Sequence, residues 1–346
     1  MQSKQLENLK MIYIIAPNIK IGGGKELLEY LLEYINKYFS SVKVVVYLDS
    51  SMQDIKETGS IKVVYLDSIM GKVALFAKRF ENALYFGNLP PLVRSSNSIV
   101  YFHNTYLLMP FYTLKRSSFK FILKYTLQQL YIKYFIRNVD LVAVQNQEIK
   151  NNFISKYKYS KVELLPFFRL CDQNNTEYKI YDFCYVSLAH PHKNHNHLID
   201  ALDILSSENI SVNLALTIED GHEELIEKIN KLNEKGIVRI DTLGVLSKED
   251  GCKLYAQSKC LVFPSTQEIF GLALIESVKM GLDAIVADLD YVYQSIKPSL
   301  VFNPNDANDI ASKMKMYMNG DVEKSEIIID NKIDQLIKFF IKEKNV

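Results

Sequence analysis

Pro264-Ser265-Thr266-Gln267-Glu268-Ile269-Phe270-Gly271-Leu272-Ala273-Leu274-Ile275-Glu276-Ser277-Val278-Lys279-Met280-Gly281 decides how the whole chain folds. Just before it, Cys260 to Phe263 is a short apolar run ended by Pro264, which reads as a buried strand; within it, Leu272 to Met280 reads as a helix stopped by Gly281. The stretch is therefore strand, loop and helix N-terminus. Gly271 lets a ligand approach the backbone closely, and the N–H groups of a first helical turn, at the positive end of the helix dipole, favour an anion such as phosphate. Two carboxylates flank that place, Glu268 in the loop and Glu276 in the helix, eight positions apart. Carboxylates are poor ligands for a diphosphate but good acceptors for sugar hydroxyls, so the implied ligand is a nucleotide sugar.

The run PSxxExFGLxLIExxxxG resembles the donor-site signature of family 4 retaining glycosyltransferases, two-domain proteins of the GT-B type whose paired glutamates stand eight residues apart. The similarity reaches back through Leu254-Tyr255 and Leu243-Gly244 to Lys193-Asn194. It runs forward through Ala284 to Asp288 and on to Val301-Phe302-Asn303-Pro304, covering most of residues 180–320. The fold class it implies is α/β, with two Rossmann-like domains whose parallel sheets face a central cleft.

At 346 residues, the chain suits two domains of about 150 to 170 residues each. A hydrophobic content of 48% against 23% charged residues supplies apolar material for two cores. The net charge of +1 hides a split: residues 1–170 carry +11 and residues 171–346 carry −10. A basic half is built to meet an anionic surface or ligand, and no nucleic-acid recognition motif accompanies it. Cys171, Cys184, Cys252 and Cys260 form no CxxC pair and no metal-ligand spacing with the histidines, so they read as buried or incidental thiols of a reducing compartment. The first ten residues are polar, and Met11 to Pro17 is too short for a signal-peptide core or a membrane span. The expected location is the cytoplasm.

In the first half, Met11 to Ala16 is an apolar strand and Lys25 to Phe39 a helix, joined by a loop that Gly22, Gly23 and Gly24 close. Strands are expected at Val42 to Leu48, Ile61 to Leu66, Ala83 to Phe86, Ile99 to Phe102, Leu141 to Val144 and Val162 to Leu165. With helices between them they argue a parallel sheet whose ligands gather at the C-terminal strand edge, where His103 follows Val100-Tyr101-Phe102. No Asp or Glu occurs from Asn82 to Val139. Within that span, residues 111–137 interleave Lys115, Arg116, Lys120, Lys124, Lys133 and Arg137 with aromatic and aliphatic residues. An amphipathic helix there could lay its basic face on anionic lipid headgroups at the inner face of the cell membrane.

Polar Asp172 to Thr176 marks a linker, giving domains at 1–170 and 171–320. The second opens with the strand Asp182 to Ser187, followed by His190-Pro191-His192-Lys193-Asn194-His195-Asn196-His197 and a helix from Leu198. Four histidines in eight residues invite a metal reading, but no carboxylate or cysteine motif completes a site. Lys193, after a strand and before a helix, is placed to neutralise a diphosphate leaving group. Further strands are expected at Val212 to Leu216, Val238 to Leu243, Ala284 to Ala287 and Leu300 to Phe302, and a last helix at about Lys324 to Lys342. Residues 321–346 could cross back to the first domain, as C-terminal helices of GT-B proteins do.

The resemblance assigns roles residue by residue. Glu268, His103 and Lys193 would be catalytic; Gly23, Gly24, Lys193, Asn194, Ser265, Thr266, Glu268, Phe270, Gly271, Leu272 and Glu276 would hold the donor. The PHKNH run is similar to a variant among bacterial polysaccharide-assembly members (O-antigen or capsule), with Leu188 where the family commonly has Arg and Asp283 where a turn proline is usual. Retaining transfer to a lipid-linked or growing surface glycan follows, with neither cofactor nor metal, since no DxD pair occupies a suitable loop. A nucleotide-sugar epimerase, a phosphorylase or a non-catalytic GT-B partner subunit are the rival readings.

Overall fold

Short β-branched and aromatic runs alternate with longer segments of helical periodicity, and a parallel sheet covered on both faces is the arrangement that buries them. The computed structural model describes residues 11–20, 23–109, 119–171, 178–268, 270–320 and 322–341. They form two compact units, Met1–Arg169 with Asp330–Val346, and Leu170–Ile329.

The first unit has strands β1 (Ile12–Ala16), β2 (Val44–Asp49), β3 (Ile61–Leu66), β4 (Glu81–Phe86), β5 (Ser96–Phe102), β6 (Leu141–Val144) and β7 (Val162–Leu164). They are ordered β3-β2-β1-β4-β5-β6-β7, all parallel. Its helices are α1 (Gly23–Tyr38), α2 (Ile69–Phe76), α3 (Phe119–Phe135) and α4 (Gln147–Tyr157). The period of two divides each strand between two cores: Ile14 and Phe86 pack with α1, while Ile15 and Tyr85 pack with α2, α3 and α4.

The second unit contains β8 (Tyr181–Tyr185), α5 (His195–Ser207), β9 (Val212–Leu216), α6 (Glu223–Asn233), β10 (Val238–Thr242), α7 (Lys248–Ala256), β11 (Ser258–Phe263), α8 (Leu272–Lys279) and β12 (Asp283–Ala287). After these come β13 (Ile296–Lys297), β14 (Leu300–Phe302), α9 (Ala307–Met318) and β15 (Glu326–Ile327). The sheet order is β10-β9-β8-β11-β12-β14, again parallel. In both sheets the chain winds outward, returns and continues the other way, so the topology switches between β1 and β4 and between β8 and β11. Ligands of open α/β sheets settle at such switch points, beyond the carboxyl ends of the strands.

Four expectations need correction. The last helix, α10 (Ile333–Ile341), begins nine residues later than the apolar spacing implies. Upstream, β15 pairs antiparallel with β13, and the Ser325 hydroxyl accepts from the Ala284 and Ser299 amides, both at 2.9 Å, which holds the chain extended. Helix α10 buries Ile333, Leu336, Ile337 and Phe340 in the core that α1 shares. Asp283, standing where the family usually has a turn proline, is not in a turn: it is the first residue of β12, 3% exposed, and accepts from Lys324 Nζ at 2.8 Å and Tyr317 Oη at 3.2 Å.

The cysteines differ too. Cys184 and Cys260 are buried thiols, but Cys171 and Cys252 form a disulfide that ties the start of the second unit to α7. With the partners 81 positions apart, the bond removes a long loop from the unfolded ensemble, so Cys252→Ser is expected to lower stability by ~3 kcal/mol. Urea unfolding with and without reductant checks this; identical midpoints for both proteins under oxidising conditions would exclude a structural disulfide.

The basic stretch is the fourth correction, and its residues 111–118, with Lys115 and Arg116, lie outside the described residues. Helix α3 is not apolar inward and basic outward. It buries Tyr125 and Ile132, yet its outer face carries Leu123, Leu127, Leu130 and Tyr134 beside Lys120, Lys124, Lys133 and Arg137.

Candidate functional site

At the switch point of the second sheet, the loop after β8 and the loop after β11 are laced together. Backbone N and Oγ1 of Thr266 both donate to the His192 carbonyl, at 2.7 and 3.1 Å, and Ser265 Oγ lies 3.3 Å from the same oxygen. Asn194, in the left-handed conformation at φ 61°, donates through Nδ2 to the carbonyls of Pro264 at 3.2 Å and Pro304 at 2.6 Å. Tyr291 Oη donates to the Ser265 carbonyl at 2.7 Å, and Tyr185 Oη to that of Lys193 at 2.8 Å. Ser265, Thr266 and Asn194 therefore act on the loops themselves, fixing the backbone on which neighbouring side chains sit.

That frame presents an ion pair. Lys193 Nζ donates to Glu268 Oε1 at 2.5 Å, with only 18% and 13% of the two side chains exposed. The ammonium also stands 6.0 Å from the Phe263 ring centre. Close by in sequence, Gly271 adopts φ 64°; a Cβ there would meet Leu274 Cδ1 at 2.9 Å, so both conformation and space call for glycine. Side chains cap α2, α4, α7 and α9, whereas α8 begins at Gly271 without a side-chain cap. Leu272 opens that helix, and Phe270, 6% exposed, anchors the turn through its carbonyl, which accepts from Ser295 Oγ at 3.1 Å. One turn further on, Glu276 is 7% exposed and bound by Lys248, the first residue of α7.

Residues 171–335 match the glycosyl transferases group 1 family. Relatives include the O-antigen chain mannosyltransferase B of Escherichia coli, 27% identical over 141 residues, which is 40% of this chain and 36% of that protein. The serotype-specific mannosyltransferase WbdA of Escherichia coli is 30% identical over 154 residues, 42% of this chain and 18% of that protein. The chain thus spans well under half the length of either relative. Solved structures extend the likeness to both units. The glycosyltransferase from Rickettsia africae ESF-5 superposes with a TM-score of 0.65 at 16% identity, over 96% of this chain and 94% of that one. Anabaena Alr3699/HepE, in complex with UDP and glucose, does so with a TM-score of 0.60 at 16% identity, over 89% and 90%. The fold is the two-unit GT-B fold of these glycosyltransferases.

The glycosyl transferases group 1 region thus contains Lys193, Asn194, Ser265, Thr266, Glu268, Phe270, Gly271, Leu272 and Glu276, all on the switch-point loops or α8. Sequence reasoning missed three of their partners there. Lys248 and Tyr291 act through contacts 28 and 26 positions apart, which no local spacing encodes, and Tyr185 through a fold of the chain back from Lys193, eight positions on. Leu188 is 43% exposed. The other histidines surround a cavity of about 740 Å³ lined by His190, His195, His197, His222 and Glu224. His195 packs against Tyr185 with the rings tilted and their centres 4.8 Å apart and is 4% exposed, and burial lowers its pKa to about 4, so it is neutral at pH 7. Among the described residues, no group of three His, Cys, Asp or Glu side chains is arranged to hold a metal ion.

The remaining three residues belong to the first unit. Gly23 and Gly24 open α1, and a Cβ on Gly24 would meet His103 Nε2 at 3.2 Å, so the glycine turn lies against the imidazole. His103 follows β5; its backbone N–H donates to Asn88 Oδ1 at 2.7 Å, and its Nδ1 is buried without a hydrogen-bond partner. Burial lowers its pKa to about 4. The ring is a neutral donor or acceptor rather than a cation.

Proposed function

We propose that the protein is a family 4, retaining, metal-independent glycosyltransferase that moves a sugar from a nucleotide-diphosphate donor to a lipid-linked or growing surface glycan at the cytoplasmic face of the membrane. The observation that carries the reading is the Lys193–Glu268 pair beside the Gly271 turn and the N-terminus of α8. A diphosphate entering there meets the N–H groups of the first helical turn and offers Lys193 a more highly charged partner than one carboxylate. Glu268, released from the ammonium, then accepts a hydrogen bond from a hydroxyl of the transferred sugar. Glu276, held by Lys248, accepts from the ribose. In the first unit, neutral His103, with Gly24 beside it, offers a hydrogen-bonding group rather than a charge. The chemistry is positioning and electrostatic stabilisation of the leaving diphosphate, with no covalent step on the protein. The mannosyltransferase names of the relatives support a hexose donor and a polysaccharide acceptor.

A thermal-shift screen of UDP-, GDP-, ADP- and TDP-sugars in EDTA tests the donor part. A ligand at a hundredfold its Kd stabilises the folded protein by ~2.7 kcal/mol, and Glu276→Ala should remove the shift. No shift with any nucleotide sugar, or one that requires added Mn²⁺, would reject the reading. The anomeric configuration of the first-formed product, read by proton coupling, tests retention.

A further inference from the structure

Around its switch point the second sheet sends its helices to opposite faces. The units β8–α5–β9 and β9–α6–β10 step one way along the sheet, and β10–α7–β11 and β11–α8–β12 step the other way. Right-handed crossovers therefore put α5 and α6 on one face and α7 and α8 on the other. Gly271, Glu276 and Lys248 belong to the second pair of helices, whereas the histidine-lined cavity of about 740 Å³ lies at the N-terminal ends of the first pair. It is a separate place from the donor turn, joined to it through the loop after β8.

The walls of this cavity are fixed. Ser187 N–H donates to Thr217 Oγ1 at 2.7 Å, and that hydroxyl donates back to the Ser187 carbonyl at 3.1 Å. Glu219 accepts from the Ala189 N–H at 2.8 Å and lies 3.2 Å from His222 Nε2, so one carboxylate locks the loops after β8 and β9 together. Among the lining residues is His195, 4% exposed, with neither Nδ1 nor Nε2 hydrogen-bonded. A buried polar group of that kind calls for a partner.

Chemistry selects which partner. A metal ion does not fit, because among the described residues no three His, Cys, Asp or Glu side chains are arranged to hold one. An anion fits poorly: Glu223 and Glu224 already answer the dipole of α6 from within its first turn, and Lys228 is engaged by Asp200 at 2.5 Å. An apolar ligand would leave His195 as it is. A neutral imidazole has one donor and one acceptor nitrogen, Asn196 adds an amide and Glu224 a carboxylate, and that mixture suits hydroxyls, which both donate and accept.

We propose that this cavity is a carbohydrate site, in which His195, Asn196 and Glu224 hold hydroxyls of the glycan being extended. That the hydroxyls are a glycan's rests on the acceptor reading above. His195 packs against Tyr185, whose hydroxyl donates to the Lys193 carbonyl, so a sugar bound here braces the loop that carries Lys193.

A long-range proton–nitrogen NMR spectrum of the imidazoles in the full chain tests it, because there are only six histidines and His103 of the first unit serves as an internal reference. Mannotriose, maltotriose, inorganic phosphate, zinc chloride, GDP-mannose and UDP-glucose are titrated separately. At least one trisaccharide should move the His195 signals and leave those of His103 in place. His195→Phe keeps a ring against Tyr185 and removes both nitrogens; it should weaken trisaccharide binding about tenfold without loss of stability in urea, which a purely structural histidine would not do. Glu224→Gln, at an exposed position, should weaken it by a similar factor, read from His222. A His195 that answers to neither trisaccharide overturns the proposal, as does one that answers only to phosphate, to zinc or to the nucleotide sugars, or a trisaccharide affinity unchanged in both variants. The thermal shift of the unaltered protein with nucleotide sugars reports on the donor site by itself, so a shift there with a silent His195 sinks the cavity alone, and the reverse result sinks the donor reading alone.

Discussion

Glu268→Gln is expected to lower sugar transfer by roughly 10²- to 10³-fold while moving donor affinity only a fewfold. Glutamine keeps the shape of the side chain and its place in the loop, and the lattice of bonds through Thr266, Asn194 and Tyr291 is untouched. What it removes is the charge facing Lys193 Nζ at 2.5 Å. Lys193 then sits without its counter-charge, and the hydroxyl of the transferred sugar meets a neutral amide in place of a carboxylate. Because the two side chains act as a unit, Lys193→Met should cost a similar factor, and the double variant should lose far less than the product of the two. Steady-state kcat and KM for the four proteins, with the donor found by thermal shift, measure this directly. A kcat unchanged in Glu268→Gln would remove that carboxylate from the reaction, and strictly multiplicative losses would show that the pair does not work together.

The readable part of this molecule was its local chemistry. The apolar run Cys260 to Phe263, the glycine at 271 and the helix to Gly281 carry their conformations in their own composition, and strand, turn and helix stand where that composition puts them. The two carboxylates were legible for the same reason. Their cations were legible unequally: Lys193 stood out by following a strand, whereas Lys248 reaches Glu276 from another helix 28 positions away. The Cys171–Cys252 bond is hidden likewise, since nothing near either cysteine specifies the other.

Helix α3 shows a different limit. Apolar residues recur on both its inner and outer faces, so periodicity identifies a helix without saying which side is buried. The end of the chain errs in the opposite direction. Ile327 and Ile328 fit the helical spacing of Ile333 to Ile341, but a strand partner for Glu326–Ile327 at Ile296–Lys297 and the Ser325 bonds outweigh that local preference. In each case the deciding contact is tertiary.

Acidification from about pH 7.5 to about pH 4 is expected to cost each unit roughly 3 kcal/mol through a single histidine. His103 in the first unit and His195 in the second both have pKa values lowered to about 4 by burial, against 6.5 for an ordinary histidine. Between those values the unfolded chain binds a proton that the folded unit refuses, so stability rises with pH across the window. The stabilisation is complete above about 6.5, falls as the pH drops toward 4, and changes no further through these residues below that. Asp49 acts lower still: Lys72 and then Ser51 hold its carboxyl well below the usual range, so its contribution is lost only beneath about pH 4. Urea midpoints taken at about pH 7.5 and about pH 5 should therefore differ by roughly 2 kcal/mol in each unit, a large share of a typical domain stability of ~5–15 kcal/mol. His195→Phe should reduce the pH dependence of the second unit, leaving the smaller part that half-buried His192 contributes, and leave that of the first intact. Equal midpoints at the two pH values would mean that both imidazoles take up protons in place, and a neutral His103 at the glycine turn could then no longer be argued.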